Sequence, residues 1–471
     1  MENKTSFSRI KRNVSLAILA QAFSLGVSFV INLIVPKFIS EQQYAYWQMY
    51  VLYVGYVGIL HFGLLDGIVL RYSQYDYDQL DKRRICSQFK LLLTVTSAIA
   101  LFILAGSSFI LSNQYRDVVL FVALGIVTRN VVTYTTYLLQ ITNRISKYVT
   151  LTILQRVSFG ALSLLLLVLK VDNFQWFCMA EILSEVGAVL LGVYYSKELY
   201  ISKSISLQET LKEAKLNVSS GVLLLIANWS SMLIVGSAKM VVQFRWSDLM
   251  FGKVSFAFSL SNLFLTFINA ISVVLFPALK RMDSQQLPSL YAKLRDTISP
   301  VLFGALLLYF PGCWILEKWL PQYQSSLTYL GYLLPMIVFA SKVSLLTNNY
   351  LKAYRKEGLM LYVNIGCVVF AIVMYIVAAY LFDNLVALLI TVILAVMLRS
   401  VISEAVVAKV INKKFYKEFA LEMLMTALFI ACTQCFARWI GMAVYFCIFL
   451  CYLALYVAKK RAKKIDMKDE Q

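Results

Sequence analysis

About fourteen apolar stretches of roughly 17–27 residues follow one another along this chain, each matching the ~20 residues that a helix needs to cross a hydrocarbon core about 30 Å thick. Inside lipid every backbone N–H and C=O must be satisfied within its own segment. A succession of such stretches therefore predicts an all-α, polytopic membrane protein. The expected spans are 14–36, 44–70, 88–111, 117–140, 148–170, 174–195, 218–243, 251–276, 298–319, 328–350, 359–381, 384–408, 418–437 and 441–457. A composition that is 60% hydrophobic agrees, because no water-exposed surface carries that share.

Cations give the orientation, since Lys and Arg resist translocation. They crowd into alternate loops: Lys82, Arg83 and Arg84; Lys280, Arg281, Lys293 and Arg295; Lys352, Arg355 and Lys356; Lys409, Lys413 and Lys414; and the tail from Lys459. The intervening loops hold few, such as Lys37, Arg116 and Lys170. Both termini are thus expected in the cytoplasm. The net charge of +19 reads as this topological signal plus attraction to anionic headgroups, with no nucleic-acid partner required. Trp47, Trp176, Trp246, Trp314, Trp319 and Trp439 fall at expected outer ends, where indoles prefer to sit, whereas Trp229 falls mid-span.

Several chemistries are disfavoured. Eight scattered cysteines form no disulfide framework, and the Cys432/Cys435 pair lies one helical turn apart in an apolar run, where packing explains it better than redox chemistry. One histidine, His61, and the lack of nucleotide-, metal- or hydrolase-type motifs argue against an enzyme, a cofactor or a bound metal.

The charged segment 196–217 divides the chain into a first lobe, 1–195, and a second, 218–408, each of six expected helices; 409–457 supplies two more, and 458–471 is a basic tail. The fourth and tenth helices both end in a polar, basic turn, Tyr137–Arg144 and Tyr350–Lys356, which suggests parallel repeats. Polar residues inside spans mark a transport path unless they serve helix packing. Gln21, Asn228 and Asn262 are the cavity-lining candidates, with Trp229 beside them. At 1.5 Å per residue, Arg129, Arg156, Glu185, Lys342 and Arg399 lie at a similar depth, roughly 16–22 Å from the outer helix ends. Glu181 and Glu185 share a helix face and suit pairing with Arg129 and Arg156. Lys342 has no evident partner in sequence, which makes it the first candidate for an anion contact, ahead of Arg156, Arg129 and Lys239. Arg399 and Glu404 are expected to form a solvated pair. Glu185, Glu181, Asp66 and His61 are the candidates for ion coupling.

The stretches FISEQQYAYWQMY (38–50), FGLLDGIVLRY (62–72), FPALKR (276–281), WLPQY (319–323) and NNYLKAYRK (348–356) resemble, in order and spacing, the Wzx-like oligosaccharide flippases of the multidrug/oligosaccharidyl-lipid/polysaccharide exporter superfamily. The resemblance runs along most of the chain. Two departures are Ala45, where glycine is common, and Ala238–Lys239, where Asp-Arg is frequent; the second leaves a lone cation near the outer mouth. The resemblance implies two six-helix lobes in a V, alternating access, and an undecaprenyl-diphosphate-linked sugar unit as cargo for surface polysaccharide. A diphosphate calls for Lys or Arg, and sugar faces call for aromatics such as Trp229, Tyr50, Tyr53 and Tyr56. Partners would be the lipid-linked oligosaccharide, the bilayer, a coupling H+ or Na+, and polysaccharide polymerase or assembly proteins. Two other readings stay open: a cation-coupled multidrug-type antiporter, with Glu185 as its carboxylate, and a non-transporting scaffold of a polysaccharide assembly complex.

Overall fold

The computed structural model describes residues 22–110, 113–280, 286–354, 356–412 and 416–469. Among them every regular element is a helix. Among the described residues ten helices are long and apolar enough to span a membrane, or up to twelve if each of two bent pairs is one span. The sequence predicts about fourteen. The difference lies at the ends, where the apolar helices Ala22–Phe38 and Phe419–Cys435 are shorter and the first expected span starts before the described residues. Large apolar side chains face outward throughout, with Phe102 80% and Phe109 90% exposed. Water would penalise such a surface, and lipid does not.

Contacts group Met1–Lys239 with Trp246–Ser255 into one compact unit, and Met240–Arg245 with Phe256–Gln471 into another. This division differs from the linker-based lobes, because the helix after the linker packs onto the first unit. That unit contains α1 (Ala22–Phe38), α2 (Glu41–Val54), a 3-10 turn Val57–His61, α3 (Leu64–Tyr72), α4 (Lys82–Ile110), α5 (Asn113–Ile141), α6 (Ile145–Val168), α7 (Phe174–Tyr195), the short α8 (Glu198–Ile201) and most of α9 (Leu207–Arg245). Helix α5 is the hub, packed on α2, α4 and α7, while α6 lies against α7.

The expected span 44–70 is broken. Its two parts, Glu41–His61 and Leu64–Tyr72, meet at 57°. Phe62 (φ 50°) and Gly63 (φ 84°) adopt left-handed conformations there, which a helix cannot pass through, and only glycine does so without steric cost. A Cβ on Gly63 would come within 2.6 Å of the Val222 amide nitrogen, and one on Gly67 would overlap the Asn217 carbonyl. The Gly63/Gly67 pair therefore lets α3 approach the backbone of α9 as small residues four apart do in membrane helices. At its other end α3 is tied to α9 by ion pairing, with Arg71 2.5 Å from Glu213, and the Tyr72 hydroxyl donates to the same carboxylate at 2.7 Å.

The second unit holds α10 (Asp248–Lys280) from Phe256 onward, α11 (Leu287–Ala305), α12 (Tyr309–Trp319), α13 (Gln324–Leu333), α14 (Met336–Lys342), α15 (Asn348–Ala353), α16 (Glu357–Ile376), α17 (Leu385–Val410), α18 (Tyr416–Cys435) and α19 (Arg438–Asp469). The expected span 328–350 is also bent, by 48° between Pro321–Leu333 and Met336–Ala353. Pro335 sits at the bend, where it lacks the N–H that would carry the helix through.

Candidate functional site

Within the first unit a cavity of about 480 Å3 opens beside the broken span. Its walls gather residues far apart in sequence: His61 and Asp66 from either side of the break, Arg129, Thr133 and Tyr137 from α5, Arg156 from α6, Glu181 from α7, and Asn228 and Trp229 from α9. Residues four apart on α5 and α7 point the same way, so Arg129/Thr133/Tyr137 and Glu181/Glu185 each form a stripe.

The charges in this cavity are unequally satisfied. Arg129 uses two nitrogens on two carboxylates, Nη2 to Glu181 Oε1 at 2.6 Å and Nε to Glu185 Oε1 at 3.0 Å. Thr128 donates to the other oxygen of Glu185 at 2.5 Å. Glu185 is wholly buried behind Arg129 and is not part of the lining. Arg156 was expected to share these carboxylates. It reaches the cavity wall, and among the described residues no carboxylate lies within 4 Å of its guanidinium. A cation half-buried in a membrane span without a counter-charge is costly, and an anion in the cavity removes that cost.

Trp229 is buried, its ring 5.2 Å from that of Tyr56, whose hydroxyl donates to the Met232 carbonyl. The indole and Tyr137 thus present aromatic surface to the cavity, while Asn228 offers an amide. The other aromatic candidates do not reach it: Tyr50 is fully buried among helices, and neither Tyr53 nor Tyr56 is part of the wall.

The first-ranked cation is a correction. Lys342 is fully buried in the second unit, 2.5 Å from Glu422 Oε2 and 3.0 Å from Glu404 Oε1. Arg295 completes the cluster, 3.3 Å from Glu404 and 3.5 Å from Glu422, and Ser299 donates to Glu422 at 3.1 Å. Two cations and two carboxylates cancel, so Lys342 is an internal structural charge and has none left for a substrate. The expected solvated Arg399–Glu404 pair does not form either. Glu404 belongs to the cluster, while buried Arg399 donates to the Asn364 side chain at 2.9 Å. Sequence reasoning missed Glu422 altogether and took Arg295 for a loop cation. An acid within the apolar run of α18 was the available signal.

The remaining candidates lie elsewhere. Lys239 holds its ammonium 5.8 Å from the Phe251 ring and is not on the cavity wall. Asn262 is exposed on the second unit. Gln21 lies outside the described residues. Among the described residues no cluster of His, Cys, Asp and Glu has the make-up of a metal site.

The family described as "Polysaccharide biosynthesis protein" matches residues 10–283. No curated protein matches the chain. Solved structures share its fold: the lipid II flippase MurJ in an inward closed conformation superposes with a TM-score of 0.66 at 10% identity, covering 95% of this chain and 99% of that one. A multidrug resistance MATE family transporter of the MOP superfamily, in its inward-facing conformation, gives 0.59 at 12% identity, covering 88% and 95%. At such identities the likeness establishes the fold, a multi-span membrane architecture common to flippases and drug transporters.

Proposed function

The chain belongs to the polysaccharide biosynthesis protein family, and from that premise we propose that it flips undecaprenyl-diphosphate-linked oligosaccharide units across the bacterial cytoplasmic membrane. The observation that carries this reading is Arg156, a cavity-facing cation with no ion-pair partner among the described residues, next to the aromatic and amide surfaces of Trp229, Tyr137 and Asn228. A lipid-linked sugar diphosphate offers the matching chemistry. Its phosphate oxygens suit the planar guanidinium fork, its sugar faces suit an indole, and its polyprenyl tail stays in lipid. Exposing the cavity first to one membrane face and then to the other moves the headgroup without dragging a charge through hydrocarbon. The distribution of loop cations supports a cytoplasmic position for both termini.

A drug antiporter of the same fold carries cationic cargo, whereas this cavity presents the Arg156 guanidinium without a carboxylate partner among the described residues, which an anion satisfies and a cation does not. The flippase reading is therefore favoured. It is tested with a fluorescent undecaprenyl-diphosphate-linked disaccharide in proteoliposomes. Losing one charge-assisted contact costs about 1.5–3 kcal/mol. Arg156→Ala is accordingly expected to slow flipping by about 10–100-fold, with Arg156→Lys retaining part of the rate. Wild-type flipping by Arg156→Ala protein, inserted at equal density, would remove the assignment.

A further inference from the structure

A second cavity of the first unit, about 640 Å3, runs between α1 and α6, and every residue along it is apolar or glycine. Counted along the two helices, from 22 to 31 and from 157 to 164, it is about 10–14 Å long. Missing side chains give it depth. A Cβ on Gly26 would meet nothing within 4 Å, and Gly160 lets α6 approach α1 until a Cβ there would stand 3.1 Å from the Val27 side chain. Phe23, Val157 and Leu164 form exposed rims, so the furrow is open on the surface that lipid surrounds. It also shares a wall with the charged cavity. Arg156 lines that cavity, Val157 lines the furrow, and Gly160 continues it one turn further along α6.

We infer that this furrow seats the polyprenyl chain of the cargo, with its first isoprene units along Val157, Gly160 and Ala161 while Arg156 holds the phosphate from the same turn of α6. The inference deepens the flippase reading and takes the identity of the cargo from it. Depth decides against an ordinary phospholipid. Arg156 lies midway along α6 (Ile145–Val168), inside the hydrocarbon core, whereas phospholipid headgroups stay in the interfacial layer outside it. An anion drawn to Arg156 therefore has its hydrocarbon attached at mid-membrane depth, where the furrow begins. A phospholipid brings only its chain ends to that level. Walls without a donor or acceptor recognise hydrocarbon by burial alone, so the furrow is indifferent to the sugar. Methyl branches make a polyprenyl chain thicker than a straight acyl chain, and the open space at Gly26 gives that thickness room. The far part of the tail stays in lipid beyond the rims, and the cargo is gripped at two adjoining points of one helix.

The test irradiates the full chain in lipid nanodiscs with undecaprenyl phosphate that carries a diazirine on one of its first isoprene units, and maps the adducts by mass spectrometry. Adducts are expected within 22–31 and 157–164, suppressed by excess undecaprenyl phosphate without the diazirine and not by the same excess of phosphatidylglycerol. Burial of one CH2 group is worth a factor of about 4 in affinity. A ring that displaces two of them should therefore cut labelling by about tenfold, in Gly26→Phe from one wall and in Ala161→Phe from the other. The first exchange also removes a helix-weakening glycine. Adducts outside the furrow, equal suppression by phosphatidylglycerol, or wild-type labelling of the folded variants would overturn the seat. So would disulfide-linked dimers of Gly26→Cys in a background without the native cysteines, which would put a second copy of the chain in the furrow. Labelling needs no transport, so the two readings fail separately. In proteoliposomes Gly26→Phe should slow flipping of the fluorescent disaccharide probe by about tenfold. Expected labelling with no flipping by the wild type would fault the cargo and keep the seat for the polyprenyl chain. A wild-type flipping rate in Gly26→Phe would keep the cargo and overturn the seat.

Discussion

Replacing Lys342 with methionine is expected to cost about 3–5 kcal/mol of stability, the usual penalty for stripping one partner from a buried ion cluster. The reason is the neighbourhood: Glu404 is fully buried and Glu422 nearly so, and only Arg295 would remain to balance both. Methionine keeps the volume, so the loss isolates the charge. Removing one carboxylate along with the lysine restores neutrality, and Lys342→Met/Glu422→Gln should recover more than half of the deficit. Equilibrium unfolding in mixed micelles, run as a double-mutant cycle, reads both quantities. A Lys342→Met protein as stable as the wild type would mean that the cluster is hydrated and the lysine free.

Arg129→Met should be comparably damaging, about 3–5 kcal/mol, for the same physical cause in the other unit. It strands Glu185, which is wholly buried, and Glu181 beside it. Thr128 continues to donate to Glu185, but one neutral donor does not replace a cation that faces both carboxylates. The contrast with Arg156 is the informative part. Arg156 has no carboxylate to abandon, so Arg156→Ala should leave unfolding within about 0.5 kcal/mol of wild type while transport falls. The same micelle assay applied to both variants separates the roles. Equal destabilisation by the two would show that Arg156 is a structural charge as well.

How far the sequence reaches depends on how local the determining contacts are. The all-helical membrane class follows from stretch length and composition alone, because lipid admits few alternatives. The Arg129–Glu181–Glu185 group was legible since its carboxylates are four apart on one helix, and depth counting brings Arg129 to their level. Asn228 and Trp229 were visible as polar and aromatic residues out of place in mid-span. By contrast, the partners of Lys342 come from α17 and α18, with Glu422 80 residues away, and nothing in the local pattern points to them. Arg295 misled for a related reason: it lies near other loop cations in sequence, yet α11 carries it into the protein interior, where it is 2% exposed. The break at His61–Gly63 was hidden inside a continuous apolar run whose sole punctuation is glycine. Since that break sets His61 and Asp66 beside the cavity, the part of the site with the most chemistry was also the part least accessible to periodicity.

The cavity is proposed to carry an anionic, lipid-linked sugar. The most direct measurement is transbilayer movement by the wild-type protein in proteoliposomes, comparing the fluorescent undecaprenyl-diphosphate-linked disaccharide with a lipophilic organic cation of the kind that drug antiporters export. The lipid-linked sugar is expected to change leaflets at a rate well above that of protein-free liposomes, while the organic cation is not carried. Proton-driven movement of the organic cation, with the lipid-linked sugar left in its original leaflet, would contradict it.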